Sequence, residues 1–214
     1  MRRQASCIEI RPASVADAKR ISHIHAASWK TAYQGMVPQA YLDALSEDHW
    51  VEPFTKWLQS GELEAIIAYV GENPVGCISF GTPIDTSVFG IEELPTGYAE
   101  VRSLYIHPDY MRSGYGRALL QAAEFSMRQQ GVTHSALFVL DQNLPARAFY
   151  EKNGYAWDGT KVSYNIMGQA ITDLRYVKSL SCPCPRRCKT HGDCISCKEK
   201  HAAKKHPCYC LRSS

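Results

Sequence analysis

The run from Tyr98 to Gly131 constrains the fold most, because it joins a strand to a helix through a turn carrying two glycines. Tyr98 to Ile106 reads as a strand that ends at His107-Pro108. From Gly114 to Gln130, Leu120, Ala123 and Met127 share one helical face, and Gly131 supplies the stop signal. At a helix start several backbone N–H groups lack intrahelical partners and the helix dipole is positive. Gly114 and Gly116 would let an anion such as a pyrophosphate come close there without meeting side chains. A plain tight turn explains two glycines equally well. The strand holds a second signal. An apolar set starting at Val101 should continue at Ser103 and Tyr105, yet the strongly apolar positions are Leu104 and Ile106. A β-bulge produces such a one-residue slip, and a strand buried on both faces would show no alternation to slip.

The flanking segments alternate strand and helix signals. Ile8-Glu9-Ile10-Arg11 alternates as a strand, and Ser14-Val15-Ala16-Asp17 begins a helix that runs to about Tyr33. Gly35 and Pro38 break it before a short helix around Tyr41 to Leu45. Ala65 to Val70 and Val75 to Phe80 form a hairpin across Gly71-Glu72-Asn73-Pro74. Ser135 to Leu140 is a buried-strand candidate, Leu144 to Asn153 a short helix ended by Gly154, and Tyr164 to Val177 can supply two closing strands. That order predicts an α/β layer fold with a partly parallel sheet.

A chain of 214 residues, 45% hydrophobic and 21% charged, suits one domain with an appendage. No apolar stretch is long enough to span a membrane, and the basic start Met1 to Cys7 lacks the apolar core of a secretory signal, so a cytoplasmic protein is expected. The charge is uneven. Residues 181–214 hold eight Lys or Arg against Asp193 and Glu199, a net of +6, which leaves −3 for residues 1–180. Seven of the nine cysteines lie in the same tail. We therefore divide the chain into a domain over 1–180 and a cysteine-rich tail over 181–214.

Tyr105 to Leu120 resembles motif A of the GNAT acetyltransferases, in which Gln or Arg, two variable residues, Gly, a variable residue, and Gly or Ala bind the coenzyme A pyrophosphate. Aligned on Gly114 and Gly116, Met111 stands at the Gln/Arg position and Arg112 follows it. Asn143 to Tyr155 is similar to a second family segment, with an Asn, an Ala, a Phe-Tyr pair and Gly before an aromatic. Ser28 to Gly35 and Leu174-Arg175-Tyr176 also resemble common bacterial members, so the likeness covers about residues 8–178 in order.

The resemblance implies a GNAT fold, a mixed central sheet flanked by helices, with acetyl-coenzyme A as cosubstrate and a primary amine as acceptor. On that resemblance the acceptor would be a small molecule, a protein N-terminus or a lysine. It implies coenzyme contacts from Arg112, Ser113, Gly114, Tyr115, Gly116, Arg117 and Ala118, with Asn143 and Arg147 downstream. Backbone groups of Leu104, Tyr105 and Ile106 would meet the pantetheine and the thioester carbonyl. Glu100 matches a general-base glutamate of part of the family, and Tyr150 matches the tyrosine that protonates the departing sulfur. Each has a bland counterpart: a solvated strand residue for Glu100 and a packed aromatic for Tyr150. His23, His25, His49 and His107 read as surface or helix residues rather than catalysts, and Trp29 and Tyr33 read as acceptor-site or core residues. A coenzyme-binding sensor or partner module without catalysis is the alternative function.

In the tail, Cys182, Cys184, Cys188, Cys194, Cys197, His201, Cys208 and Cys210 are the expected metal ligands, with zinc the expected ion. Cys194 to Cys197 has the paired spacing of a zinc site, and Cys184 to Cys188 is close to it. Lysines and arginines would depress the thiol pKa values. A disulfide framework, an iron–sulfur cluster and a metal-free tail stay open. The tail's basic charge is also compatible with docking to RNA or an acidic protein partner, and a homodimer is compatible with the sequence.

Overall fold

A computed structural model describes residues 8–181 and 200–201. Seven strands form one sheet in the order β1-β2-β3-β4-β5-β7-β6: β1 Ile8–Pro12, β2 Leu63–Val70, β3 Asn73–Gly81, β4 Tyr98–Ile106, β5 His134–Leu140, β6 Ala156–Ile166 and β7 Gln169–Ser179. Five α-helices flank it: α1 Ala18–Ala32, α2 Gln39–Ala44, α3 Val51–Ser60, α4 Tyr115–Gln129 and α5 Leu144–Lys152. β4 and β5 run parallel, and the other neighbouring pairs run antiparallel. The expected mixed α/β sheet is the one observed.

Strand alternation sorts side chains between the two faces. On β2, Ile66 and Ala68 join the core beneath α4, whereas Ala65, Ile67 and Tyr69 meet α1 and α3. The α4 stripe of Leu119, Leu120, Ala123 and Met127 is fully buried against Ile78, Phe80, Val101 and Leu137. Glycine is required at Gly81 on β3, because a Cβ there would run into the backbone carbonyl oxygen of Glu62. Ser14 closes a capping box, its N–H donating to the Asp17 carboxylate at 2.9 Å.

Helix α3 has no counterpart among the sequence expectations. Its apolar set Phe54, Trp57 and Leu58 has helical spacing, and Pro53 sits in the first turn, where a missing N–H costs nothing. Of the tail residues read as metal ligands, His201 is described, in helical backbone; Cys182, Cys184, Cys188, Cys194, Cys197, Cys208 and Cys210 lie outside the described residues. Among the described residues no group of three or more His, Cys, Asp or Glu could hold a metal ion, and no helix is long and apolar enough to cross a membrane.

Candidate active site

Two irregularities in β4 create the site. Against β3, Ser103 pairs with Ser79 but Val101 pairs with Phe80, so Arg102 is the extra residue of a bulge. Ala99 and Val101 therefore point toward α4, as do Leu104 and Ile106, while Glu100, Arg102, Ser103 and Tyr105 all face the other side. This is the slip legible in the alternation. The second irregularity is a split. Tyr98–Val101 pairs with His134–Leu137 on β5, and beyond that point the two strands continue without pairing to each other. One edge of β4 is thus left without a strand partner from Arg102 onward.

At the α4 side of the split lies the glycine turn. Arg112 and Gly114 both take the left-handed conformation, at φ 60° and 84°, and Gly114 is an N-cap with no side-chain hydrogen bond. The first helical bond runs from Ala118 N–H to Gly114 C=O at 3.1 Å, so the amides before it face outward from the helix start. A Cβ on Gly114 would have nothing within 4 Å, and one on Gly116 would rest 3.6 Å from Phe149 and 3.7 Å from Ile106. An uncapped helix start with open space in front fits a phosphate-bearing ligand, because the N–H groups and dipole await an anion. Arg112, Ser113 and Arg117 are exposed around it, and Tyr115, Gly116 and Ala118 are half-buried.

On the opposite face lies a cavity of about 340 Å³. Helix α1 and the residue after it give it His25, Trp29 and Tyr33, and Trp50, Phe54 and Trp57 come from α3 and the residue before it. β4 adds Glu100, Arg102, Ser103 and Tyr105; β5 adds Phe138 and Leu140; Tyr164 of β6 and Asp173 of β7 close the far end. Ile84 and Phe89 reach in from the loop before β4.

The charged groups are few and their environments unequal. Burial raises the Glu100 carboxyl above its ordinary value, although the Ile84 amide donating to it at 2.8 Å and the Arg102 guanidinium 3.6 Å away pull it back. Arg102 is shared with Glu62 at 3.7 Å and donates to the Thr82 carbonyl at 2.8 Å. Burial pushes Asp173 up to about 6, against the hydrogen bond that Tyr164 donates at 3.1 Å. His25 is packed edge-on against Trp50, Phe54 and Tyr105, and desolvation holds its imidazole neutral, down to about 3. Its Nε2 is buried without a hydrogen-bond partner. The hydroxyls of Tyr33 and Tyr105 lie 3.1 Å apart, and Tyr150 interacts electrostatically with both. Burial raises all three phenols, so they are neutral donors at physiological pH.

The sequence-derived residues fall into two places. Glu100 and Tyr105 line the cavity, as do Trp29 and Tyr33, while Leu104 and Ile106 pack under α4 with their backbone at the split. Tyr150 is buried between Phe149 and Tyr155 beneath α4 and reaches the tyrosine cluster from that side. Asn143 and Arg147 have internal partners: Asn143 caps α5 by accepting from Ala146 N–H at 3.2 Å, and Arg147 donates to the Tyr176 hydroxyl at 3.2 Å and the Asp141 carbonyl at 2.9 Å. Sequence reasoning missed Asp173, Arg102 and Tyr164 and set His25 aside. The only signal for Asp173 was an acidic residue within an otherwise strand-like run.

Residues 21–155 match the model of the acetyltransferase (GNAT) family. A spermidine N(1)-acetyltransferase of Thermoplasma acidophilum is 29% identical over 162 residues, 75% of this chain and 95% of that protein. An uncharacterized N-acetyltransferase of Bacillus subtilis is 31% identical over 67% of this chain and 78% of its own length. Among solved structures, the PaiA N-acetyltransferase of Thermoplasma acidophilum in complex with coenzyme A superposes with a TM-score of 0.61 at 24% identity, covering 81% of this chain and 99% of that one. With the matched segment spanning the cavity helix α1, the bulged strand, the glycine turn and Tyr150, the chain belongs to the GNAT family as an acetyl-coenzyme A-dependent N-acetyltransferase.

Proposed function

We propose that this enzyme acetylates a cationic primary amine seated in the aromatic cavity, with Glu100 as proton acceptor and Tyr150 as proton donor. The observation that carries this reading is the split beyond Val101. It leaves a free strand edge between an uncapped helix start on one face and a cavity with a buried carboxylate on the other. Acetyl-coenzyme A, when bound, supplies the acetyl group as a thioester.

The outward amides at the start of α4 would hold the pyrophosphate, and the free edge of β4 from Arg102 to Ile106 would orient the pantetheine and polarise the carbonyl. An acceptor amine enters as an ammonium and must lose a proton to become nucleophilic. Glu100, raised by burial, faces the cavity where it can take that proton, directly or through one water. Tyr150 stays protonated and can return a proton to the departing sulfur. The carboxylates and aromatic walls favour a cation, consistent with the relative named for spermidine.

Thiol release from acetyl-coenzyme A, followed with a panel of amines, peptides and polyamines beside direct binding of coenzyme A, tests the reading. Tyr150→Phe should lower turnover about tenfold or more with coenzyme affinity within a factor of two. Coenzyme binding without release on any acceptor would favour the sensor alternative.

For residues 181–214 we propose, from the cysteine and histidine spacing, a tail ordered by one or two zinc ions. Metal analysis of reduced protein should find zinc, and truncation after Leu180 should leave coenzyme binding intact.

A further inference from the structure

The cavity holds more negative charge than the transfer step uses. Two carboxylates face it, Glu100 on β4 and Asp173 on β7, against a single guanidinium, and that guanidinium is committed to Glu100 and Glu62. His25 adds no charge, because desolvation keeps it neutral, and its buried Nε2 lacks a partner in the same wall. No Lys, Arg or His among the described residues makes an ion pair with Asp173. Its polar contact is the Tyr164 hydroxyl at 3.1 Å, and the like charge of Asp141 pushes in the same direction as burial. Arg175, the closest basic residue along β7, is turned to Asp158 at 2.7 Å. Asp173 is half-buried, and a carboxylate partly withdrawn from water without a cation is unfavourable unless a ligand supplies one.

The two carboxylates are also far apart. Glu100 is level with Ala136 on β5, whereas Asp173 is level with Leu140, four residues further and on the next strand over. At ~3.3 Å per residue and ~4.8 Å per strand, the backbone positions are about 13 Å apart along the strands and about 10 Å apart across them, before side-chain reach and twist are counted. One amine cannot serve both. Tyr33, Trp29 and Tyr164 wall the Asp173 end, and their ring faces suit an alkylammonium.

We propose that Asp173, oriented by Tyr164, binds a second, non-reacting ammonium of the acceptor, so that the substrates are elongated amines with at least two cationic centres. This rests on reading the cavity as the acceptor site. The arrangement makes Asp173 a specificity residue: it discriminates a diamine from a monoamine of equal length and takes no part in the proton transfers at Glu100.

The test uses the full chain saturated with coenzyme A, titrated with 1,8-diaminooctane and with octylamine, probes of equal length that differ by one terminal ammonium. The fluorescence of Trp29, Trp50 and Trp57 in the cavity wall reports binding. Wild type should bind the diamine about tenfold or more tightly than the monoamine. Asp173→Asn should abolish that advantage while octylamine affinity moves less than about twofold, and Asp173→Glu should retain most of it. Melting curves confirm that the variants fold. Equal affinity for both probes in wild type, or a preference that survives Asp173→Asn, overturns the proposal, as does equal loss of both probes in both folded variants. Parallel thiol-release assays separate it from the acetyl-transfer reading. A diamine preference in binding without turnover defeats the transfer reading and leaves Asp173 its role. Turnover of both amines at equal kcat/KM, indifferent to Asp173→Asn, leaves the transfer reading and removes that role.

Discussion

The glycine turn and the aromatic cavity sit on opposite faces of the same split strand, and they are built by opposite means. The turn is backbone: sixteen consecutive residues from Tyr105 to Leu120 carry the strand end, the left-handed positions and the first amides of α4. The cavity is side chains, gathered from α1, α3 and six strands between His25 and Asp173. The turn presents the positive end of a dipole, and the cavity presents an excess of carboxylate. On the proposed reading, a substrate with phosphates at one end and an acceptor with ammonium groups would be drawn to different faces and meet at the split. Recognition that uses backbone tolerates drift in side chains, so Met111 in place of the family's Gln or Arg is compatible with the proposed coenzyme site; recognition that uses side chains can be retuned by one substitution.

The sharpest way to break this comparison is to remove chemistry from one face and ask whether the other notices. Glu100→Gln keeps the shape and the hydrogen bond from Ile84 N–H but removes the proposed base, so kcat/KM should fall about 100- to 1000-fold. Coenzyme affinity, measured by calorimetry, should stay within a factor of two. A comparable loss of coenzyme binding would mean that the two faces are coupled through β4.

The converse substitution is Gly116→Val. A Cβ alone would be in ordinary contact with Phe149 and Ile106, so the added methyl groups of valine would crowd the space between those side chains and the first turn of α4, beside the proposed phosphate site. Coenzyme affinity should drop roughly 10- to 50-fold, about 1.4 to 2.3 kcal/mol at 1.4 kcal/mol per decade, while diamine binding to the cavity is retained. Simultaneous loss of both would show that α4 supports the cavity walls as well.

The same contrast explains what the sequence disclosed. The turn, the bulge and the α4 stripe depend on neighbours in the chain, so local glycines and a broken alternation reported them. The cavity depends on which polar faces become covered. His25 lies one position from Ile24 on α1, and nothing in the spacing distinguishes a helix residue at the rim from one pressed among Trp50, Phe54 and Tyr105. Asp173 and Arg175 alternate with Leu174 and Tyr176 along β7, so Asp173 reads as an outward polar residue until β6, α1 and the loop before β4 enclose that face. The missed helix α3 is a different case. Its Phe54, Trp57 and Leu58 spacing was present, and Pro53 reads as a breaker unless it is placed in the first turn.

The smallest predicted effect concerns the cavity at rest, before any ligand enters. His25 is held neutral in the fold, down to about 3, but its unfolded counterpart takes a proton near its ordinary value of 6.5. Above pH 6.5 neither state binds that proton, and the contribution to stability is complete. Below it the unfolded chain gains a proton that the fold excludes, so stability falls by up to about 1.4 kcal/mol per pH unit. Asp173 works in the other direction. Its carboxyl is raised to about 6 from 3.8, so the fold holds a proton more tightly than the unfolded chain, and stability from this group rises as pH drops through that interval. Wild-type curves therefore mix the two slopes. His25→Phe keeps an aromatic ring among Trp50, Phe54 and Tyr105 and cancels the first slope alone. Urea unfolding at pH 7.5, 6.5, 5.5 and 5.0 should give a fixed offset between variant and wild type above pH 6.5, then a gap growing by roughly 1 to 2 kcal/mol in the variant's favour by pH 5.0. Parallel curves over that range would mean that the folded imidazole takes up the proton, and with it that the cavity wall carries a positive charge where a cationic acceptor has to bind.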